Sequence, residues 1–381
     1  METSKAMVGD DIPLFWPHIT GQEIDAVTRV LEHGWLTQGA ELRRLEQLSS
    51  QVSGRNHAVA VNSGTSALHL AMLAAGVQEG DEVITTPFSF VASANVILMV
   101  SAIPRMVDID PLTLNLSPSL VESSITEKTK AILAVDVFGN LSHLAELERI
   151  AQQRNLVLIE DGCEALGSEK DGRKAGGFGQ CSAFGFFPNK QITSGEGGVL
   201  LTDDEVIYEY AASLRNHGRD AEGFPKQLGY NYKLNEVNAA LANAQLLRLD
   251  EILAKRACIA RQYSYELADL EELRIITDIN SFAHQTQSLF AFVVELSPRL
   301  AARRDDVLHH LQSRGIGCGT YFFPLHLLPH IGGRCGYEPG DFPVCERVSS
   351  STLALPFFTS LSPNQVSRVC ETLKDWIGRV I

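Results

Sequence analysis

The chain has 381 residues, of which 45% are apolar, enough for one large hydrophobic core and a second, smaller one. Its formal net charge of −14 argues against nucleic acid or an anionic membrane surface as the main partner. Seven scattered cysteines without a Cys-x-x-Cys pair predict neither a metal centre nor a disulfide framework, and they are typical of the reducing cytoplasm. The polar, acidic start, Met1 to Asp11, does not have the pattern of a secretory signal.

Residues 83–104 carry no formal charge and are about as long as a membrane span. The stretch contains Pro87, Asn95 and several hydroxyl side chains, and its apolar residues are unevenly spaced. We interpret it as a strand, a loop and a buried helix, so the sequence predicts no membrane association.

The first 160 residues predict alternating helices and strands. A helix within residues 13–34 has Thr20 as its N-cap, Glu23 three residues later and Gly34 at its end, and a second helix covers residues 41–52. The predicted strands cover residues 58–61, 82–86, 103–107, 131–137 and 156–159, and a further helix covers residues 144–154. Such alternation predicts an α/β fold with a mostly parallel sheet and helices on both faces.

A turn of small residues follows the first strand and precedes a helix over residues 68–75. The turn reads Asn62-Ser63-Gly64-Thr65-Ser66-Ala67. Free backbone amides at a helix start attract a phosphate, and the hydroxyls of Thr65 and Ser66 could add to that attraction. An ordinary serine or threonine N-cap is the alternative interpretation.

Two stretches predict a site at the sheet edge. The buried strand over residues 156–159 continues into Glu160 and Asp161, and an aromatic strand leads into Lys190 within a glycine-rich loop. Ligands gather at the carboxyl ends of parallel strands, so Asp161 could share a pocket with Lys190. Pyridoxal 5'-phosphate (PLP) needs such a pair, since a lysine binds its aldehyde and a carboxylate keeps its pyridine nitrogen protonated. A surface lysine on a hairpin is the alternative.

The rest of the chain predicts a second unit. A strong helical pattern runs over residues 234–253 and continues to about residue 270. Strands at 274–277 and 289–295 and helices at 301–314 and 366–380 follow. We therefore predict a large domain over residues 1–250 and a smaller C-terminal α+β domain over residues 251–381.

Motifs spread over nearly the whole chain resemble one family. They are Gly34–Thr37, Asn62–Ala67, Glu160–Gly167, Phe187–Lys190, Gly195–Gly198, Arg215–Gly218, Gly229–Lys233 and Tyr321–His326. In this order they resemble the DegT/DnrJ/EryC1/StrS aminotransferases, PLP-dependent enzymes that aminate nucleotide-linked keto-sugars. The resemblance implies the fold type I (aspartate aminotransferase-like) architecture, with a mostly parallel seven-stranded sheet in the large domain. It also implies a role in amino-sugar biosynthesis for polysaccharides such as O-antigen.

The family's site residues can be carried over to this sequence. Lys190 would bind PLP and move a proton, Asp161 would pair with the pyridine nitrogen, and Phe90 would stack on the ring. The implied phosphate ligands are Gly64, Thr65, Ser66, Ser182 and Asn231, the last reaching in from a second subunit. Substrate contacts are expected at Lys233, His326 and Asn189, and no metal is expected. The resemblance implies a homodimer with shared active sites, and a higher oligomer is left open.

Three positions depart from the common family pattern. Glu164 stands near the expected phenolic oxygen of PLP, where many members have glutamine or histidine, and two anions there would repel unless one carried a proton. Asp136 stands where many members have histidine, and Lys233 replaces an arginine. Glu164, together with Phe138–Asn140 and Asn189–Lys190, is similar to the perosamine-synthase-like branch, which aminates C4 of a nucleotide-linked 4-keto-6-deoxyhexose.

The resemblance implies a reaction in two halves. L-glutamate would donate its amino group, with pyridoxamine 5'-phosphate as the intermediate form of the cofactor, and the keto-sugar would then accept it. A C3-keto-sugar or a keto-cyclitol is an alternative acceptor, because acceptor choice depends on variable loops. A non-catalytic regulator that retains the fold is a third reading, and intact Lys190 and Asp161 argue against it.

Overall fold

A computed structural model describes residues 10–277 and 285–381. Residues 1–9, which make up most of the polar start discussed above, lie outside the described residues. Residues 278–284, in the predicted second domain, also lie outside them. The described strands are β1 (His57–Val61), β2 (Glu82–Thr85), β3 (Ile103–Met106), β4 (Thr129–Val135), β5 (Val157–Asp161), β6 (Glu169–Lys170), β7 (Arg173–Lys174), β8 (Cys181–Gly185), β9 (Gly198–Thr202), β10 (Leu273–Ile275), β11 (Gln285–Thr286), β12 (Phe292–Leu296) and β13 (Thr352–Leu355).

Helices separate most of these strands. The described helices are α1 (Gly21–His33), α2 (Ala40–Ser53), α3 (Gly64–Ala74), α4 (Ala92–Met99), α5 (Pro118–Ser124), α6 (Leu144–Arg154), α7 (Glu205–Arg215), α8 (Glu236–Leu246), α9 (Leu249–Leu267), α10 (Pro298–Ala301), α11 (Arg304–Gln312), α12 (Pro329–Cys335), α13 (Pro343–Ser351) and α14 (Pro363–Val380). Within the described ranges, no helix combines the length and the apolar character needed to cross a bilayer.

The large sheet has seven strands in the order β1-β9-β8-β5-β4-β2-β3. Strand β9 is antiparallel to both of its neighbours, and every other adjacent pair is parallel. This arrangement confirms the predicted mostly parallel seven-stranded sheet. Strands β4, β5 and β8 are adjacent and parallel, with Val135 opposite Asp161 and Asp161 opposite Ala183. Their carboxyl ends therefore meet at one edge, where the candidate site lies.

The predicted caps of α1 are present. The Thr20 hydroxyl accepts a hydrogen bond from a first-turn amide while Glu23 accepts one from the Thr20 amide, and Gly34 ends the helix at φ +80°. The helix begins at Gly21 and not at residue 13, because Thr20, its N-cap, has extended backbone angles and residues 13–19 have no helical structure. Ile12 pairs with Ile316 in a parallel bridge.

The long helix predicted from residue 234 is two helices, α8 and α9. The chain leaves helical geometry at Arg248, whose guanidinium contacts Glu23 of α1 at 2.6 Å and Glu251 at 3.2 Å. One hydrophobic core, which includes Ile252, lies under the large sheet, and another, which includes Ile259, lies against the small sheet β10-β12-β13. Ile12 belongs to the second core, although the sequence grouped it with the large domain. The division at residue 250 stays a prediction.

Candidate active site

A cavity of about 410 Å³ opens at the carboxyl edge of the parallel strands. The sequence-predicted residues that line it are Gly64, Thr65, Phe90, Asp161, Glu164, Asn189 and Lys190. Gly64 and Thr65 lie in the first turn of α3, Asp161 is the last residue of β5, and Lys190 lies in the loop after β8. Residues that are distant in the sequence therefore meet in one cavity.

Asp161 is held by its neighbours at the floor of the cavity. Its Oδ2 accepts a hydrogen bond from the Ser93 hydroxyl at 2.8 Å, and its Oδ1 accepts one from the Cys163 amide at 3.2 Å. The Ser93 hydroxyl also lies 3.0 Å from that of Ser89. The carboxylate is 5% exposed, so these contacts fix its direction in a site with little water.

Lys190 lies between a carboxyl group and an aromatic ring. Its Nζ is 3.8 Å from Oε1 of Glu164 and 4.3 Å from the centre of the Phe290 ring. The backbone amide of Lys190 donates to the carbonyl of Phe187 at 2.9 Å, which turns the chain at the end of the aromatic strand. The amine therefore points into the cavity from a defined turn.

Glu164 can carry a proton near neutral pH. Burial raises the pKa of its carboxyl group to about 7, although Lys190 and the Phe138 amide, which donates to Oε2 at 2.9 Å, act in the opposite direction. A neutral Glu164 would remove the repulsion that the sequence predicts between this residue and a phenolate.

Asp136 lies completely buried beside the carboxyl groups of Glu160, Asp161 and Glu164. Burial, followed by the charge of Glu160, raises the pKa of Asp136 well above its usual range. Asp136 is absent from the residues that line the cavity. Among the described residues, no group of acids, histidines and cysteines has the arrangement of a metal site.

The start of α3 provides a cradle for an anion. Ser63 caps this helix by accepting a hydrogen bond from the Ser66 amide, and the amides of the first turn have no carbonyl four residues earlier in the helix. A Cβ atom on Gly64 would lie only 2.9 Å from the Cys163 sulfur and 3.2 Å from Gly185 Cα, so the backbone approaches closely here. An anion cradle, an acid and an amine around one cavity fit the phosphate, the pyridine nitrogen and the aldehyde of PLP.

The side chains of three predicted contact residues are not among those that line the cavity. The Ser66 hydroxyl donates to Asn62 at 2.7 Å inside the turn and is not part of the cavity lining. Ser182 is fully buried and donates to the carbonyl of Gly176 at 2.6 Å, on the opposite side of its strand. His326 is also fully buried, with its Nε2 3.0 Å from Glu346, so it does not reach the cavity either.

Asn231 and Lys233 lie outside the cavity of their own chain. Asn231 is exposed, and its side-chain oxygen accepts a hydrogen bond from the Lys233 ammonium at 2.6 Å. Burial, together with Arg219 and Arg215, lowers the pKa of Lys233. Phe90 does line the cavity, but 61% of its surface is exposed, so an occupant of the cavity could cover its ring.

Four residues of the cavity were not identified from the sequence as site residues. Ser93 supports Asp161, Phe290 faces Lys190, and Tyr321 and Phe322 line the cavity wall. Tyr321 and Phe322 lie in a motif that supported the resemblance, which is the signal that could have indicated them. Ser93 lies in α4, and Phe290 lies just before β12. No local sequence pattern connects either residue with the site.

Comparison with known proteins agrees with this geometry. The model of the DegT/DnrJ/EryC1/StrS aminotransferase family matches residues 17–374. The chain belongs to this family. Similar proteins include GDP-perosamine synthase from Escherichia coli O157:H7, which is 33% identical, with 96% of this chain and 98% of the relative covered. The spore coat polysaccharide biosynthesis protein SpsC from Bacillus subtilis is also 33% identical, with 96% of each chain covered.

Solved structures of aminotransferases have the same architecture as this chain. The sugar aminotransferase Spr1654 from Streptococcus pneumoniae, described as putative, matches in a PLP form and a pyridoxamine form, each with a TM-score of 0.92. Both are 27% identical and cover 97% of this chain and 100% of theirs. The family member described here is a PLP-dependent sugar aminotransferase, which confirms the predicted fold class, enzyme class and cofactor.

Proposed function

We propose that the enzyme transfers the amino group of L-glutamate to C4 of a nucleotide-linked 4-keto-6-deoxyhexose. Lys190 and Asp161 in one cavity carry the proposal, because an amine and an acid are needed at different positions around one cofactor ring. The similarity to GDP-perosamine synthase supports the acceptor and makes GDP the first nucleotide to test.

The side chains divide the work of the reaction. When bound, PLP supplies an aldehyde that takes up the amino group and a ring that withdraws electrons from the reacting carbon. Lys190 Nζ is the group that would bind this aldehyde before the donor arrives. With its amine free, Lys190 would act as the base that takes up the proton of the donor's α-carbon and later gives it back. Asp161 orients the ring through its nitrogen, while the amides at the start of α3 hold the phosphate.

The cavity wall beside Lys190 could recognise the sugar. The Asn189 amide nitrogen lies 3.5 Å from the Tyr321 hydroxyl, and both side chains line the cavity. Together they offer donors and acceptors to the hydroxyl groups of a hexose. Glu164, with a pKa near 7, would donate or accept a hydrogen bond at the phenolic oxygen of the cofactor.

The first experiment tests the lysine. Purified enzyme should be yellow, and borohydride should fix the cofactor to the peptide that contains Lys190. Lys190→Ala should abolish amino transfer, while the exposed-lysine control Lys174→Ala should retain it. Wild-type turnover by the Lys190→Ala enzyme would show that another group performs the proton transfer.

A second experiment tests the acceptor. The enzyme is supplied with L-glutamate and, separately, with GDP- and dTDP-linked 4-keto-6-deoxyhexoses, a 3-keto-sugar nucleotide and a keto-cyclitol. We expect 2-oxoglutarate and a 4-amino-sugar from the first pair only. A higher kcat/KM for the 3-keto-sugar or the cyclitol would replace the proposed acceptor while leaving the transaminase chemistry intact.

We also infer that two copies of the chain share each active site. Asn231 and Lys233 lie outside the cavity of their own chain, so they would act on the partner's cavity. Lys190→Ala and Asn231→Ala should each impair activity at limiting PLP. Subunits mixed from these two variants should recover activity, because one of the two sites regains both native residues. No recovery after verified subunit exchange would mean that each chain builds its own site.

A further inference from the structure

The face of the Phe290 ring covers the Lys190 ammonium. Nζ lies 4.3 Å from the ring centre, within the range of a cation–π contact, and Phe290 is 3% exposed. On another side the nearest Glu164 oxygen is 3.8 Å away. Since Glu164 has a pKa of about 7, its charge is incomplete at neutral pH. The Phe290 ring has no titratable group, so its attraction for the ammonium does not depend on pH, whereas that of Glu164 does.

Several contacts fix the Phe290 ring in this place. The Arg256 guanidinium, from α9, donates to the carbonyl of Leu289 and to that of Phe290, each at 2.8 Å. The Phe138 ring stacks on the Phe290 ring, with centres 6.1 Å apart. Arg256 thus fixes the backbone of Phe290, and Phe138 packs against its ring, so the ring has a defined position.

The same segment is joined to the loop that carries the lysine. Gln191, the residue after Lys190, donates to the Ser288 hydroxyl at 2.9 Å and to the Glu164 carbonyl at 2.7 Å. Ser288 in turn donates to the Leu166 carbonyl. Phe290 and Lys190 therefore cannot easily move apart, because two hydrogen-bonded residues hold their chain segments together.

We propose that Phe290 is a positioning residue that holds the free ammonium of Lys190 against Glu164 between the steps of the reaction. The inference rests on the proposed role of Lys190 and deepens it. When the amine is released from the cofactor and has taken up a proton, it could swing out toward the mouth of the cavity. The ring face stabilises the protonated amine in place, ready to return the proton.

The charged and titratable groups around this amine come from several elements. Asp161, Cys163 and Glu164 lie at the end of β5 and in the loop after it, and Tyr321 and Glu196 also line the cavity. Arg256 lies behind Phe290. A change confined to the Phe290 ring leaves all of these groups in place, so it isolates the contribution of the ring.

The test measures how Lys190 reacts with an amine-selective acylating reagent as pH is raised, read by mass spectrometry of its peptide. The full chain is used without cofactor and loaded with pyridoxamine 5'-phosphate, both of which leave the amine free. Phe290→Leu should move the midpoint of labelling about 0.5 to 1 pH unit lower, because the ammonium form loses its ring. At a given pH below the midpoint, Lys190 of Phe290→Leu should therefore be labelled about three to ten times faster than Lys190 of the wild type.

Two further variants separate the ring's charge distribution from its volume. Trifluorophenylalanine at position 290 keeps the shape but weakens the negative ring face, so it should move the midpoint in the same direction as Phe290→Leu. Phe322→Leu opens the same aromatic wall but keeps the Phe290 ring over Lys190, so it should change the labelling plateau at high pH and leave the midpoint unchanged.

The proposal has clear failing outcomes. The proposal is overturned if the labelling midpoint of the trifluorophenylalanine enzyme equals that of the wild type. It is also overturned if Phe322→Leu shifts the midpoint as much as Phe290→Leu does, because the effect would then come from packing. If Phe290→Leu does not fold, the fluorinated variant alone decides. Borohydride trapping at Lys190 is scored separately, so failure of the proposed lysine role is distinguishable from failure of this inference.

Discussion

Replacing Glu164 with glutamine should change how the stability of the cofactor-free enzyme depends on pH. The folded protein raises the pKa of this carboxyl group from its ordinary value of 4.5 to about 7, mainly because the group is buried. A raised pKa means that the folded state binds the proton more tightly than the unfolded state does. Glu164 therefore favours folding below pH 4.5, and stability is lost as pH rises through 7.

The size of the effect follows from the shift. Each pKa unit corresponds to about 1.4 kcal/mol, so the wild type should lose up to about 3 kcal/mol between pH 4.5 and 8 through this one group. A glutamine side chain at this position resembles the protonated acid in shape and can still accept a hydrogen bond from the Phe138 amide. The stability of Glu164→Gln minus that of the wild type should therefore increase across this range.

Urea unfolding of the cofactor-free enzymes at several pH values between 4.5 and 8 measures that difference. Glu196→Gln is the control, because Glu196 also lines the cavity but is exposed. The free energy of unfolding of Glu196→Gln should change with pH in the same way as that of the wild type. A difference between Glu164→Gln and the wild type that stays constant with pH would refute the reasoning, since it would show that burial does not perturb this acid.

Three further substitutions probe other parts of the structure. Arg256→Met removes the donor to two buried carbonyls and should lower the free energy of unfolding by about 2 kcal/mol in denaturant titrations. Gly64→Ala puts a methyl group 2.9 Å from the Cys163 sulfur and should weaken PLP affinity about tenfold by fluorescence titration, whereas Gly21→Ala, with open space around it, should not. Glu236→Ala removes the acceptor of three amides at the start of α2 and should cost about 2 kcal/mol of unfolding free energy, whereas an unchanged value would mean that water replaces the carboxylate.

The meeting of Lys190 and Asp161 in one cavity could be predicted because it depends on topology. Asp161 ends a strand whose buried pattern is unmistakable, and parallel neighbours bring their carboxyl ends to a common edge. Likewise, the cap of α1 depends on Thr20, Glu23 and Gly34, which lie close together in the sequence. Helix caps formed by residues close in the sequence, and the direction of parallel strands, can both be predicted from a single sequence.

Side-chain direction and long-range caps could not be predicted in the same way. Ser182 has the right residue type near the right strand, but strand alternation turns its hydroxyl away from the cavity toward Gly176. The amides at the start of α2 are capped by Glu236, which is almost 200 residues away in the sequence. No local pattern marks such partners, because only the tertiary fold decides which surfaces come together.

The acids around the site illustrate how the fold assigns different roles to chemically similar groups. Burial raises the pKa of Asp136, Glu160 and Glu164, so none of the three is obliged to carry a full charge beside the others. Glu160 points to the opposite face of β5, where the amides of the segment before β8 contact its carboxyl group. Asp161 differs because it faces the cavity and accepts hydrogen bonds from a hydroxyl and an amide. The raised pKa of Asp136 therefore lessens the negative charge close to Asp161, which is the carboxyl group that faces the cavity.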